Sequence, residues 1–287
     1  MNYNSSDIVI LNKKETLVPT RDGKQLNVLI QGEGDRAMVF LHGLGENHNF
    51  FTHQLNEFRS RCKIISVDQR GHGFSYKMKP PERISLQTWV DDVYDITKSA
   101  KVSETILMGH SFGATVSLKF AMDHPDLTKG VITTGGLSEL EPEAWKALEL
   151  WINAYDRKDE SQIMSALTEY NPEWDLYPTF ANAPENKAMT DRMKQVYRED
   201  DGYNFIECGR AINDFALTPD LGKVKCPVLL LAGDSDMWVP VSHSVKLSMG
   251  ISNSMLKIFY HASHLPHLEQ PEVANRLMAN LLAVIGW

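Results

Sequence analysis

The residues with the clearest chemical potential are Gly109-His110-Ser111-Phe112-Gly113. A serine between two glycines, after the apolar run TILM and before FGATVSLKFAMDH, predicts a strand–turn–helix elbow. Such a turn lifts the hydroxyl above a sheet, and the glycines leave space where a Cβ would meet backbone. A helix starting at the serine turns free N–H groups and its positive dipole end toward a developing anion. The chemistry implied is attack on a carbonyl carbon. A serine hydroxyl is a weak nucleophile unless a base takes its proton and an acid orients that base. Farther along, Gly233-Asp234-Ser235-Asp236 offers two acids, and the stretch His261-Ala262-Ser263-His264-Leu265-Pro266-His267 offers the bases. The last piece is His42-Gly43-Leu44-Gly45 after the run MVFL. A loop there aims the Leu44 backbone N–H at the same point as the Phe112 N–H. Two such donors form an oxyanion hole, worth about 3–4 kcal/mol of barrier per donor.

These pieces need a scaffold, and the chain spells one out. ETLVP and LNVLIQ flank Arg21-Asp22-Gly23-Lys24, a hairpin signal. Short apolar runs then alternate with helical patterns: AMVFL (37–41), KIISV (63–67), TILM (105–108), GVITT (130–134), VLLLA (228–232) and LKIF (256–259). Leu86, Trp89, Val90, Val93 and Ile96 recur at helical steps, helices are expected after Phe112 and before Arg59, and a last one runs from Pro271 to about Ile285. Strands and helices in alternation imply a mostly parallel central sheet, flanked by helices and buried on both faces. Residues 138–222 break the rhythm: EAWKALELWINAY and QIMSALTEY are helical, Pro172, Pro178 and Pro184 punctuate them, and no strand is evident. A helical cap inserted between two core strands is expected, with core segments at 1–137 and 223–287.

The pieces MVFLHGLGE, VDQRGHGFS, LMGHSFGA, LLLAGDSDMWVP and HASHLPHLEQPE together resemble the α/β-hydrolases of the serine esterase and lactonase type. The resemblance covers roughly residues 15–137 and 223–287 and leaves the cap without an assigned motif. It implies the α/β-hydrolase fold, with Ser111 as nucleophile, Asp236 as acid, His264 as general base, and Leu44 and Phe112 as oxyanion donors. Ser263 stands where the family usually has glycine, so His261 competes with His264 for the base position. A serine nucleophile does not point to the dehalogenase or epoxide hydrolase branches, which attack with a carboxylate. It implies cleavage of a small or medium carboxylic ester or lactone through an acyl-enzyme. A carbon–carbon (diketone) hydrolase using the same three residues is the alternative, followed by a hydrolase-fold ligand receptor.

Pocket candidates are His42, His110, Trp145, Trp151 and Trp238, and aromatic residues of the cap suit an apolar substrate group. His42 is also expected to brace the oxyanion loop, His267 to stand behind the site and Asp68 to be structural, whereas His48, His53, His124 and His243 read as surface or helix residues. The triplet His261, His264, His267 has no carboxylate cluster nearby in sequence, and Pro266 is expected to break a helix there, so no metal or cofactor is expected.

The 287 residues are 43% hydrophobic and 23% charged with a net charge of −8, an ordinary globular composition that excludes disorder and fibrous repeats. An acidic chain without a basic run is a poor nucleic-acid binder. Three scattered cysteines, Cys62, Cys208 and Cys226, argue against a disulfide framework, and no run is long enough to span a membrane. Small-molecule substrate and water are the expected partners and the cytoplasm the expected setting. The oligomeric state has no signature.

Overall fold

The Asp-Gly turn closes a hairpin between β1 (Glu15–Pro19) and β2 (Gln25–Gln31), with Gly23 at φ +78°. The computed structural model describes residues 15–141, 149–150, 152–159, 161, 202–236 and 238–287. The apolar runs then form β3 (Arg36–Leu41), β4 (Lys63–Val67), β5 (Glu104–His110), β6 (Thr128–Thr134), β7 (Val228–Gly233) and β8 (Ser254–Phe259). Between them lie α1 (Thr52–Phe58), α2 (Leu86–Ser99), α3 (Phe112–Asp123), α4 (Tyr203–Asn213), α5 (Val241–Gly250), α6 (Pro266–Glu269) and α7 (Pro271–Val284).

The strands form one eight-stranded sheet in the order β1-β2-β4-β3-β5-β6-β7-β8. β2 is antiparallel to both its neighbours, and every other pairing is parallel. Side chains alternate across a strand, so each core strand feeds two apolar layers. Val39, Leu41, Leu107 and Val131 pack with Trp89, Val93 and Phe120 on one face. Met38, Phe40, Met108 and Ile132 pack with Phe51, Phe58 and Met278 on the other.

Chain direction explains where a site belongs. From β3 the chain crosses to β4 on one side, then returns to β5 on the other. The order reverses between β3 and β5, and in open parallel sheets ligands bind beyond the strand carboxyl ends at such a point. Leu41 pairs with Gly109 in register, so the His42 loop and the Ser111 turn leave the sheet side by side.

Two elements differ from expectation. α5 follows Pro240 in VSHSVKLSMG, a segment rich in serine and β-branched residues that does not announce a helix. Pro266 starts α6 rather than breaking a helix, because a proline at the first helical position loses no hydrogen bond. Among the described residues no helix is long and apolar enough to cross a membrane.

Candidate active site

Ser111 occupies the sharp turn between β5 and α3 with φ +53° and ψ −123°. A non-glycine residue held there stores strain of about 1–3 kcal/mol, a cost the surroundings must hold in place. They do so tightly. The Ser111 N–H donates to the Thr134 carbonyl at the end of β6 (3.0 Å). A Cβ on Gly109 would stand 2.3 Å from the Gly113 carbonyl oxygen, and one on Gly113 would stand 2.2 Å from that of Leu41. Ser111 therefore sits where only glycines at both flanks let α3 approach β3.

Asp236 follows β7 and His264 follows β8, adjacent parallel strands. His264 Nδ1 and Asp236 Oδ2 are 2.7 Å apart, and both side chains are only 1% exposed. Asp236 Oδ1 accepts from the Trp238 and Val239 backbone N–H groups at 3.0 and 2.9 Å. The carboxylate is thus an acceptor on both oxygens, so Nδ1 must carry the imidazole proton and Nε2 is left bare to act as a base. Burial works to lower the His264 pKa, but the charge and hydrogen bond of Asp236 outweigh it, and the imidazole titrates above its ordinary value of 6.5.

The competing candidates separate cleanly. Asp234 and His261 are exposed, whereas Asp236 and His264 are buried against each other. Ser263 fits the base loop by a bond of its own: its N–H and Oγ both reach the Glu269 carboxylate, which also accepts from the Leu265 N–H. Gly135 stands against the imidazole face, where a Cβ would lie 2.6 Å from His264 Cε1.

Ser111 and His264 share no direct hydrogen bond among the described residues. The link runs through His110, whose ring centroid lies 4.5 Å from that of His264 and whose Nε2 is 3.2 Å from the His264 carbonyl oxygen. Catalytic contacts in substrate-free enzymes are often long and tighten when substrate binds. The oxyanion candidates also converge: a Cβ on Gly43 would touch Ser111 Cβ at 3.1 Å, so the Leu44 loop rests on the serine turn. Neither the Leu44 nor the Phe112 N–H donates a hydrogen bond among the described residues.

The other pocket candidates divide. His42 and His110 have no exposed surface. His42 bridges Gly43 O through Nδ1 (2.8 Å) and accepts from Gln69 N through Nε2 (3.0 Å). That is the bracing role expected of it. Trp238 is half-buried and lends its backbone N–H to Asp236. Trp145 and Trp151 lie outside the described residues. His267 is buried behind the site, with Nδ1 3.2 Å from Thr134 Oγ1. Asp68 is structural, accepting from the His48 and Phe74 backbone N–H groups and from Asn27. Its partner His48 is buried rather than at the surface, with Nδ1 2.8 Å from Asp68 Oδ1. Two residues with a part in the site escaped sequence reasoning, Glu46 and Glu269. Each is a lone carboxylate in a loop, and only the fold reveals what it holds.

Comparison with known proteins bears on the fold. Residues 36–271 match the family model described as the alpha/beta hydrolase fold. The chain is 28% identical to 2-(acetamidomethylene)succinate hydrolase of Mesorhizobium japonicum, over 90% of this chain and 91% of that one. It is 25% identical to 3-oxoadipate enol-lactonase 2 of Acinetobacter baylyi, over 93% and 95%. Among solved structures, a thermophilic esterase from Thermogutta terrifontis superposes with a TM-score of 0.77 at 21% identity, covering 95% of this chain and 99% of that one.

Proposed function

The chain belongs to the alpha/beta hydrolase fold family, and on that premise we propose that it is a serine hydrolase that cleaves a small or medium carboxylic ester or lactone through an acyl-enzyme. The observation that carries the reading is the buried Asp236–His264 pair, with its proton fixed on Nδ1 and its imidazole packed on His110, the residue before a strained Ser111. In this reading His264 Nε2 takes the Ser111 proton as Oγ attacks the acyl carbon. The tetrahedral oxyanion faces the Leu44 and Phe112 N–H groups. Collapse expels the alkoxide, to which His264 returns the proton, and water then repeats the sequence on the acyl-enzyme. Asp236 holds the tautomer and stabilises the imidazolium.

A cap at residues 138–222 belongs to the same proposal. It is supported by the position of this segment between β6 and β7, by helical backbone at residues 152–156, and by α4, whose Tyr203 and Asn204 bond the loop before α2. A cap over the carboxyl ends of the strands suits an enclosed small substrate. The relatives named for enol-lactone and for acetamidomethylene-succinate hydrolysis support small-molecule acyl chemistry.

The test is a panel of short p-nitrophenyl esters, lactones and vinylogous diketones, assayed with wild type and Ser111→Ala. Ester or lactone turnover that depends on Ser111 is expected. Inactivity on both with turnover of the diketone would move the reading to carbon–carbon bond cleavage, and single turnover with ligand retention would move it to a receptor.

A further inference from the structure

Glu46 takes no part in the acyl-transfer steps above, yet it is placed as if it mattered to them. It lies in the oxyanion loop, and its side chain is 6% exposed. Its Oε2 accepts from the Gly43 backbone N–H at 2.5 Å. Both carboxyl oxygens stand 3.0 Å from His110 Nδ1, and Oε1 has no hydrogen bond of its own.

The partners of His110 determine where the protons sit. Its Nε2 faces the carbonyl oxygen of His264, which can only accept. Nε2 therefore carries a proton. For a neutral ring, Nδ1 is then a bare acceptor, and the Glu46 carboxyl must donate to it. A proton on Oε1 satisfies both that nitrogen and the otherwise orphaned oxygen. Burial favours this arrangement, since it leaves no charge in an apolar site. It raises the Glu46 carboxyl to about 8 and holds His110 well below the ordinary imidazole value.

We infer that Glu46, protonated and bonded to His110, is a positioning residue that ties the oxyanion loop to the loop carrying the general base. The chain of contacts runs from the Gly43 N–H through Glu46 and His110 to the carbonyl of His264. The inference rests on the reading of Ser111 as nucleophile and Leu44 N–H as oxyanion donor. When Glu46 loses its proton, His110 has one proton for two acceptors. It keeps either the carboxylate or the His264 carbonyl, and one link opens. The same ionisation puts a negative charge beside the point where the oxyanion develops. The titratable groups facing Glu46 are His42 on its own loop, His110 at the end of β5, and His264 with Asp236 beyond β8 and β7; His267 on α6 packs on the far side of His110.

The experiment compares kcat, KM and thermal melting for wild type, Glu46→Gln, Glu46→Leu and Ser111→Ala on one p-nitrophenyl ester from pH 6 to 9.5. Glutamine reproduces the pair in a form that cannot ionise: its oxygen accepts from Gly43 and its NH2 donates to His110. The wild-type kcat is expected to fall on the alkaline side, with KM little changed, and Glu46→Gln to remain level there. At pH 7 Glu46→Leu is expected to lose at least about tenfold in kcat, the scale of a misplaced loop donor, and glutamine to recover most of it. If the leucine variant does not fold, the alkaline comparison alone decides. A wild-type kcat flat to pH 9.5, a decline shared by Glu46→Gln, or a loss confined to KM overturns the inference. Full activity in Ser111→Ala overturns the nucleophile assignment instead.

Discussion

At the scale of single residues, the proposed chemistry turns on one tautomer. Asp236 accepts three N–H groups, so His264 presents a bare Nε2. Ser111→Ala is expected to lower kcat by at least about a thousandfold, the usual cost of removing one member of such a set. Asp236→Asn replaces an acceptor with a donor, favours the wrong tautomer, and is expected to cost about a thousandfold or more while leaving KM little changed. In the proposed mechanism the acid limb of kcat/KM follows His264. Its pKa is raised by Asp236, so the rate should begin to fall at a pH above the ordinary imidazole value of 6.5 as acid is added. A limb below that value would mean that Asp236 does not act on the base. The serine and its flanking glycines were legible in the chain because a short motif fixes them. The choice of Asp236 over Asp234 and of His264 over His261 came from resemblance, and burial favours it. The roles of Glu46, His110 and Glu269 were illegible because each depends on loops distant in sequence.

At the scale of elements, the elbow is a problem of close approach. α3 leaves β5 so tightly that a Cβ on Gly113 would stand 2.2 Å from the Leu41 carbonyl oxygen. Gly113→Ala forces backbone to move, not a side chain, and is expected to cost at least about 1–3 kcal/mol in denaturant unfolding along with most activity. An alanine variant that unfolds like wild type would mean that the contact relaxes freely. The strands were readable because parallel strands buried on both faces appear as unbroken apolar runs. α5 was not, since Val241, Ser242 and Ser244 favour helix weakly and its formation depends on Ser244 and Leu247 being buried. α6 was misread because a proline at a helix start looks like one that ends it.

At the scale of the whole molecule, the sheet reversal between β3 and β5 sets the site, and polar ties hold the distant loops around it. Arg70, after β4, grips both Asp92 oxygens on α2 at 2.7 and 2.9 Å and reaches Asp22 in the hairpin turn at 2.6 Å. Arg70 and Asp92 are almost fully buried. Arg70→Ala strands a buried carboxylate and is expected to cost about 3–5 kcal/mol at neutral pH. Burial already raises the Asp92 pKa to about 6 with Arg70 in place. A group raised in the folded state favours folding when protonated, so the deficit of the variant should shrink as the pH falls, and a deficit independent of pH would contradict the stranded charge. The most direct test of the central claim weighs the intact protein. Wild type is mixed with a slowly deacylating p-nitrophenyl ester, quenched in acid within one turnover, weighed by mass spectrometry and digested. The expected result is a mass increase of one acyl group, located on the peptide bearing Ser111 and absent from Ser111→Ala. Continued ester turnover with no such adduct, or with the acyl group on another residue, would contradict it.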